Sequence, residues 1–180
     1  MESLKGRLLV SAGGLFDPNF RHTVVLVGDH DEEGAAGVVL NRPSSKAVAE
    51  ALPPLAPLVA PGTPLYRGGP VRPTHPVLIA EFAHPELADL LVFERIGFLV
   101  GEVPDDLEAG IQRVRVYAGY SGWGPGQLER EMTEDSWIVA PARADDVFTD
   151  EPESLWRRVL QRLGPDYARL SEMPFDPRTN

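Results

Sequence analysis

The chain has 180 residues, 43% hydrophobic and 24% charged, which is the profile of one soluble globular domain burying about 70% of its surface on folding. It contains no cysteine, and this excludes disulfides, thiolate metal sites, iron–sulfur clusters and cysteine nucleophiles. A net charge of −10, from 27 acids against 17 bases, argues against a general nucleic-acid binder.

Leu8–Ser11 predicts a short strand. Thr23–Gly28 is short and rich in β-branched residues, so it predicts a buried strand. Asp29–Gly34 predicts a polar loop and Ala35–Asn41 a second strand, which together make an antiparallel hairpin. Pro43-Ser44-Ser45 offers a cap for a short helix over Lys46–Leu52. Pro53, Pro54, Pro57 and Pro61 then break the chain into a loop up to Gly62. Gly68-Gly69-Pro70 marks a turn within Tyr66–Val71, and Val77–Phe82 predicts a strand. Leu90–Glu94 and Gly97–Gly101 predict two more, paired through Arg95-Ile96. Pro104–Gly110 predicts a helical turn. Arg113–Tyr120 alternates, with one polar and one buried face. Pro125–Glu134 predicts a helix with Pro125 at its first position, and Ser136–Ala140 predicts a strand. Asp150–Leu163 is the clearest helix, with an apolar stripe of Leu155, Trp156, Val159, Leu160 and Leu163. Asp150 and Glu153 suggest a capping box there, and Gly164-Pro165 a stop. Residues 1–180 therefore read as a single α+β domain with a mostly antiparallel or mixed sheet.

The familiar chemical motifs fail in turn. Gly119–Gln127 is glycine-rich, but Pro125 stands where a phosphate loop needs Lys, and Gln127 where a dinucleotide loop needs Gly. Ser121 lacks the glycine two residues on that a nucleophile elbow requires, because Trp123 is there. All four histidines precede Ser121, against the usual hydrolase order. Asp29-His30-Asp31 gathers metal-ligand types, but strand neighbours point to opposite faces, so a solvated acidic loop is the better reading. No cofactor or metal is expected. No apolar run approaches the roughly 20 residues of a membrane span, and the start reads as the start of the fold rather than a signal peptide. A cytoplasmic protein with no membrane partner is expected.

Three separated blocks carry a resemblance. The first is Leu15-x-Asp17-Pro18-x-Phe20-Arg21-x-Thr23-Val24-Val25, followed by His30 and Gly34-Ala35-x-Gly37-Val38-Val39-x-Asn41-x-Pro43. The second is Gly68-Gly69-Pro70-Val71. The third is Gly119-Tyr120-x-x-Trp123-x-x-Gly126-Gln127-Leu128-Glu129-x-Glu131, then Trp137. In order and spacing these resemble the bacterial YqgE/AlgH family over about residues 4–164. Two positions depart from it: Gly13 stands where Pro is usual, and Ser121 where Ala is often found. The resemblance implies a twisted, bifurcated sheet partly rolled into a barrel, with peripheral helices. It implies no established activity or cofactor, although one branch carries the label of a transcriptional regulator of alginate synthesis.

The expectation is a non-enzymatic regulatory or binding protein with an unknown protein or small-molecule partner. Its candidate cleft is Asp17, Arg21, His30, Asn41, Trp123, Gln127 and Glu131, a set able to hold a small anionic or amide-bearing ligand. Several of the seven should then share one cleft. An alternative is an enzyme with His30 as acid or base and Glu131 or Asp17 as its partner. Direct DNA binding is a third reading, disfavoured by charge: residues 1–90 hold 10 acids and 7 bases, residues 91–180 hold 17 and 10. Arg157, Arg158 and Arg162 on the last helix read as a solvated face. Each motif position also has a purely structural reading, as a turn or backbone partner.

Overall fold

The computed structural model describes residues 2–12 and 21–172. The elements, in order, are β1 (Arg7–Ser11), β2 (Val24–Asp31), β3 (Gly34–Val39), β4 (Pro43–Ala47), α1 (Val48–Ala51), β5 (Pro64–Arg67), β6 (Val71–Phe82), β7 (Leu90–Phe93), β8 (Ile96–Leu99), α2 (Leu107–Gly110), β9 (Ile111–Trp123), α3 (Gln127–Thr133), β10 (Trp137–Pro141), α4 (Ala144–Val147), α5 (Leu155–Arg162) and α6 (Pro165–Leu170). The fold is α+β, built on one open ten-stranded sheet in the order β10-β1-β2-β3-β9-β6-β8-β7, with β4 and β5 branching off. Every pairing is antiparallel except β5 with β9.

The thirteen-residue β9 makes the branch. Its first part, through Tyr120, pairs with β6, and its last three residues pair with β3. The continuous apolar run of β2 follows from burial on both faces. Val24 and Leu26 join Leu8, Val10 and Val38 under Leu155, Trp156, Val159 and Leu160 of α5. Val25 and Val27 join Leu9 and Val39 on the other face, beneath Trp123, Leu128 and Trp137. A third cluster, including Leu78, Phe82, Leu99 and Val116, is covered by Val48 of α1, Leu55 and Leu107 of α2.

Several boundaries differ from the sequence reading. Residues 43–47 form β4 rather than a cap, and α1 keeps one turn with Ala47 at its N-cap. Ser44 Oγ instead accepts the Lys46 N–H. The Asp29–Gly34 loop shrinks to Glu32-Glu33, because β2 runs on to Asp31. β9 continues to Trp123, so the glycine-rich turn is only residues 124–126; Gly126, in the left-handed region at φ 73°, caps α3 in place of Pro125. Asp150–Leu163 divides into a 3-10 turn at Pro152–Ser154 followed by α5, without the side-chain cap expected of Asp150 and Glu153. On the polar face of β9, Arg113 and Arg115 are both engaged. Arg113 makes a fork to Glu81 at 3.0 and 3.2 Å, and Arg115 donates to the carbonyls of Val147 and Thr149 at 2.9 Å.

Candidate functional site

The third motif block builds a lock around α3. Glu131 Oε1 accepts the indole N–H groups of Trp123 at 3.0 Å and Trp137 at 2.8 Å. Its Oε2 accepts Gln127 Nε2 at 2.9 Å, and Gln127 Oε1 accepts the Gly124 N–H, closing the turn. Gln127 and Glu131 lie four apart, on one face of the helix. The two indoles meet edge-to-face with centroids 5.9 Å apart, both at most 5% exposed. His30 approaches the same helix from β2. Its Nδ1 accepts the Leu4 N–H at 2.9 Å, so Nε2 carries the proton that it donates to Glu129 Oε1 at 2.6 Å. Both ring nitrogens are thereby engaged, and the carboxylate partner is Glu129, not Glu131. Asp29 and Asp31 point outward on either side of the buried His30, as strand alternation requires.

Asn41 is not in that group. It sits just past the end of β3, where its Oδ1 accepts the Val24 N–H at 3.0 Å and its Nδ2 donates to the His22 carbonyl at 2.9 Å. Arg21 lies beside it, its carbonyl accepting a hydrogen bond from the Arg42 guanidinium. The structure therefore brings Trp123, Gln127 and Glu131 together, places His30 next to them, and separates Arg21 and Asn41. Asp17 lies outside the described residues. Ser121 is fully buried and donates to the Gly68 carbonyl at 3.2 Å, a fastening role rather than a nucleophile's.

His22 takes the left-handed region at φ 49° and stacks on Trp156 with centroids 3.9 Å apart and planes at 7°. Burial, then the charges of Arg42 and Arg157, hold its imidazole below the usual 6.5. The unfolded chain therefore takes up a proton near pH 6.5 that the folded chain refuses. Stability from neutral His22 is complete above that value and declines as pH falls below it. Melting temperature is expected to drop between pH 7.5 and 5.5, and to drop less in His22→Asn, which tolerates the same backbone. Equal drops in both proteins would exclude His22 as the source.

A second, wider cleft is lined by none of the six described candidates. It is a cavity of about 700 Å³ between β4, the end of α1, β5 and the start of β6. Its charged lining groups are Arg42, Lys46 and Arg67; among the described residues no carboxylate lines it. Burial and the Arg67 charge lower the Arg42 pKa from its ordinary value, so two guanidinium groups are held within electrostatic reach. The side chains of Arg67 and Lys46 make no ion pair among the described residues. Ser44, Ser45 and Thr74 add hydroxyls, and Leu52 and Leu65 supply an apolar wall.

Glycines build this cleft. Gly68 and Gly69 cross β9 at Gly119, where φ is +75°, and an added Cβ at Gly68 would stand 2.3 Å from the Gly119 carbonyl oxygen. Past the crossing, β6 swells: Val71 pairs with Tyr120 and Pro76 with Ala118, leaving residues 72–75 opposite Gly119 alone. That swelling turns Pro73 and Thr74 into the cleft, while the crossing sets Arg67 at its edge.

The AlgH-like family model matches residues 8–168. The chain belongs to the AlgH-like family. A UPF0301 protein of Streptomyces coelicolor is 43% identical, the alignment covering all of this chain and 97% of the relative. One from Mycobacterium tuberculosis is 38% identical over 97% of this chain and 90% of its own length. Among solved structures, the crystal structure of protein DIP2367 from Corynebacterium diphtheriae superposes with a TM-score of 0.85 at 28% identity, covering 96% of this chain and 94% of that one. The solution structure of AlgH from Pseudomonas aeruginosa gives 0.71 at 30%, covering 96% and 95%. The blocks that mark the family here are thus a helix lock and a glycine crossing. The charged groups of the cleft fall between or beside them, at positions the motif reading passed over.

Proposed function

We propose that this AlgH-like protein is a non-enzymatic binding protein that takes a small anionic ligand in the cleft of Arg42, Lys46 and Arg67. One observation carries the reading: in a chain of net charge −10, every charged group among the described residues lining this cleft is a cation. Guanidinium forks suit planar or tetrahedral oxyanions. His30, the acid or base of the enzyme reading, has both nitrogens engaged in holding Leu4 and α3, which favours binding over catalysis. Of the three helix arginines read as a solvated face, two are engaged within the fold: Arg162 grips the Asp146 carboxylate at 2.7 and 2.8 Å, and Arg158 grips Ser154 and Thr149. Any regulatory effect in this reading acts through ligand occupancy.

Calorimetry at low salt with phosphate, sulfate, acetate and citrate is the test. Saturable binding of at least one anion is expected, weakened roughly tenfold or more in Arg67→Ala. Arg7→Ala removes the same charge from β1 and is expected to bind as the parent does. The Arg67 side chain is exposed, so its loss should change stability by less than about 0.5 kcal/mol. No binding by any of the four, or equal binding by Arg67→Ala, overturns the reading.

A further inference from the structure

We infer that the cleft's ligand is a phosphoryl group carried on an apolar body, a phosphomonoester rather than a carboxylate; the assignment rests on the anion-binding reading above. Charge is the first argument. Arg42 and Arg67 repel one another, and Lys46 adds a third positive group in the same cavity. A carboxylate brings one negative charge, whereas a phosphomonoester brings about −1.5 to −2 near pH 7. The doubly charged group offsets more of that repulsion.

Donor geometry is the second argument. A phosphoryl group presents three terminal oxygens in a tetrahedral array, enough to engage the Arg67 fork, the Lys46 ammonium and a hydroxyl at once, while Arg42, whose guanidinium also holds the Arg21 carbonyl, adds its charge. The hydroxyls of Ser45 and Thr74 lie in the same lining and supply further donors. A planar carboxylate has two oxygens and leaves part of this donor set without a partner.

Size and polarity are the third. About 700 Å³ is far more than an inorganic ion fills, and it falls in the range of small-molecule sites. The apolar part of the lining includes Val39, Ala51, Leu52 and Leu65. Leu52 is half-buried at the end of α1, with apolar surface still open to the cavity. Such a wall desolvates a ring or short aliphatic body while the cations hold its charged end.

The test compares phenyl phosphate, benzoate and inorganic phosphate by calorimetry on the full chain at low salt. Phenyl phosphate is expected to bind roughly tenfold or more tightly than benzoate, and more tightly than inorganic phosphate. Arg67→Lys keeps the charge without the fork and is expected to fall between the parent and Arg67→Ala. Leu52→Ala is expected to weaken phenyl phosphate while leaving inorganic phosphate unchanged. Benzoate binding as tightly as phenyl phosphate, with Arg67→Ala still disruptive, overturns the phosphoryl assignment and leaves the anion reading standing. Inorganic phosphate matching phenyl phosphate overturns the apolar body. Absence of binding by all three and by the anion panel overturns the anion reading itself.

Discussion

Glu131→Ala is expected to cost about 4 kcal/mol of stability and to lower the melting temperature by roughly 8–16 °C. The carboxylate is the acceptor for three N–H donors on three segments: Trp123 at the end of β9, Gln127 at the start of α3 and Trp137 at the start of β10. Alanine leaves two indole N–H groups in rings at most 5% exposed with that acceptor gone, at about 1–3 kcal/mol each. α3 has seven residues and no side-chain cap at its N-terminus, so tertiary fastening must hold it. Glu131→Gln distinguishes acceptor loss from a general loss of packing. Both indoles point to Oε1, which the amide retains; only the Gln127 bond meets a donor instead. The Gln variant is expected to lose about 1 kcal/mol. Urea unfolding followed by tryptophan fluorescence measures both. Similar losses in the two variants would show that acceptance by the carboxylate is not what holds the lock.

This lock shows where sequence reading stops. Trp123, Gln127 and Glu131 stood out as polar and aromatic positions in a glycine-rich block, and they do converge. Spacing on one helix turn carries that much, since residues four apart share a face. Whether such a group faces a ligand or its own backbone depends on non-local partners, here Trp137 and Gly124. Asn41 illustrates the same limit: an amide before a proline reads as a turn or as a binding group, and its partners are Val24, which opens β2, and His22 in the turn before it. The strands were legible because β-branched runs such as Val24–Val27 are buried on both faces. β4 was not, because Pro43-Ser44-Ser45-Lys46 is polar and pairs only with β5.

The cleft left a signal at a different scale. Residues 34–80 hold Arg42, Lys46, Arg67 and Arg72 against Glu50 alone, a balance of +3, so the rest of the chain carries −13 of the total −10. Dividing the chain at residue 90 averages this reversal away, because Asp29, Asp31, Glu32 and Glu33 fall in the same half. A window the length of the β3–β6 segment isolates it. Even so, the window names a positive region and not a cavity. That needs the β5 pairing with β4 and β9, which sequence periodicity does not encode.

Gly68→Ala is expected to abolish folding, at a cost above about 4–5 kcal/mol, although its backbone lies outside the left-handed region. Contact, not conformation, is the reason. The new Cβ would lie 2.3 Å from the Gly119 carbonyl oxygen and 3.0 Å from Val38 Cγ1. Neither backbone is free to retreat. Gly68 donates to the Ala118 carbonyl at 2.9 Å, and its own carbonyl accepts from Val39 N at 2.9 Å and from Ser121 Oγ. Moving the strand by the ångström a methyl needs would break these bonds together. Gly62→Ala provides the opposite case. Gly62 sits at φ +83°, but nothing lies within 4 Å of its Cβ position, so only backbone strain of about 1–2 kcal/mol applies. Soluble yield, circular dichroism and thermal melts rank the two. A Gly68→Ala protein that melts within about 1 kcal/mol of Gly62→Ala would show that the crossing yields. It would then also displace Arg67, the residue next to the crossing, and anion binding in the cleft would weaken with no change to any charged side chain.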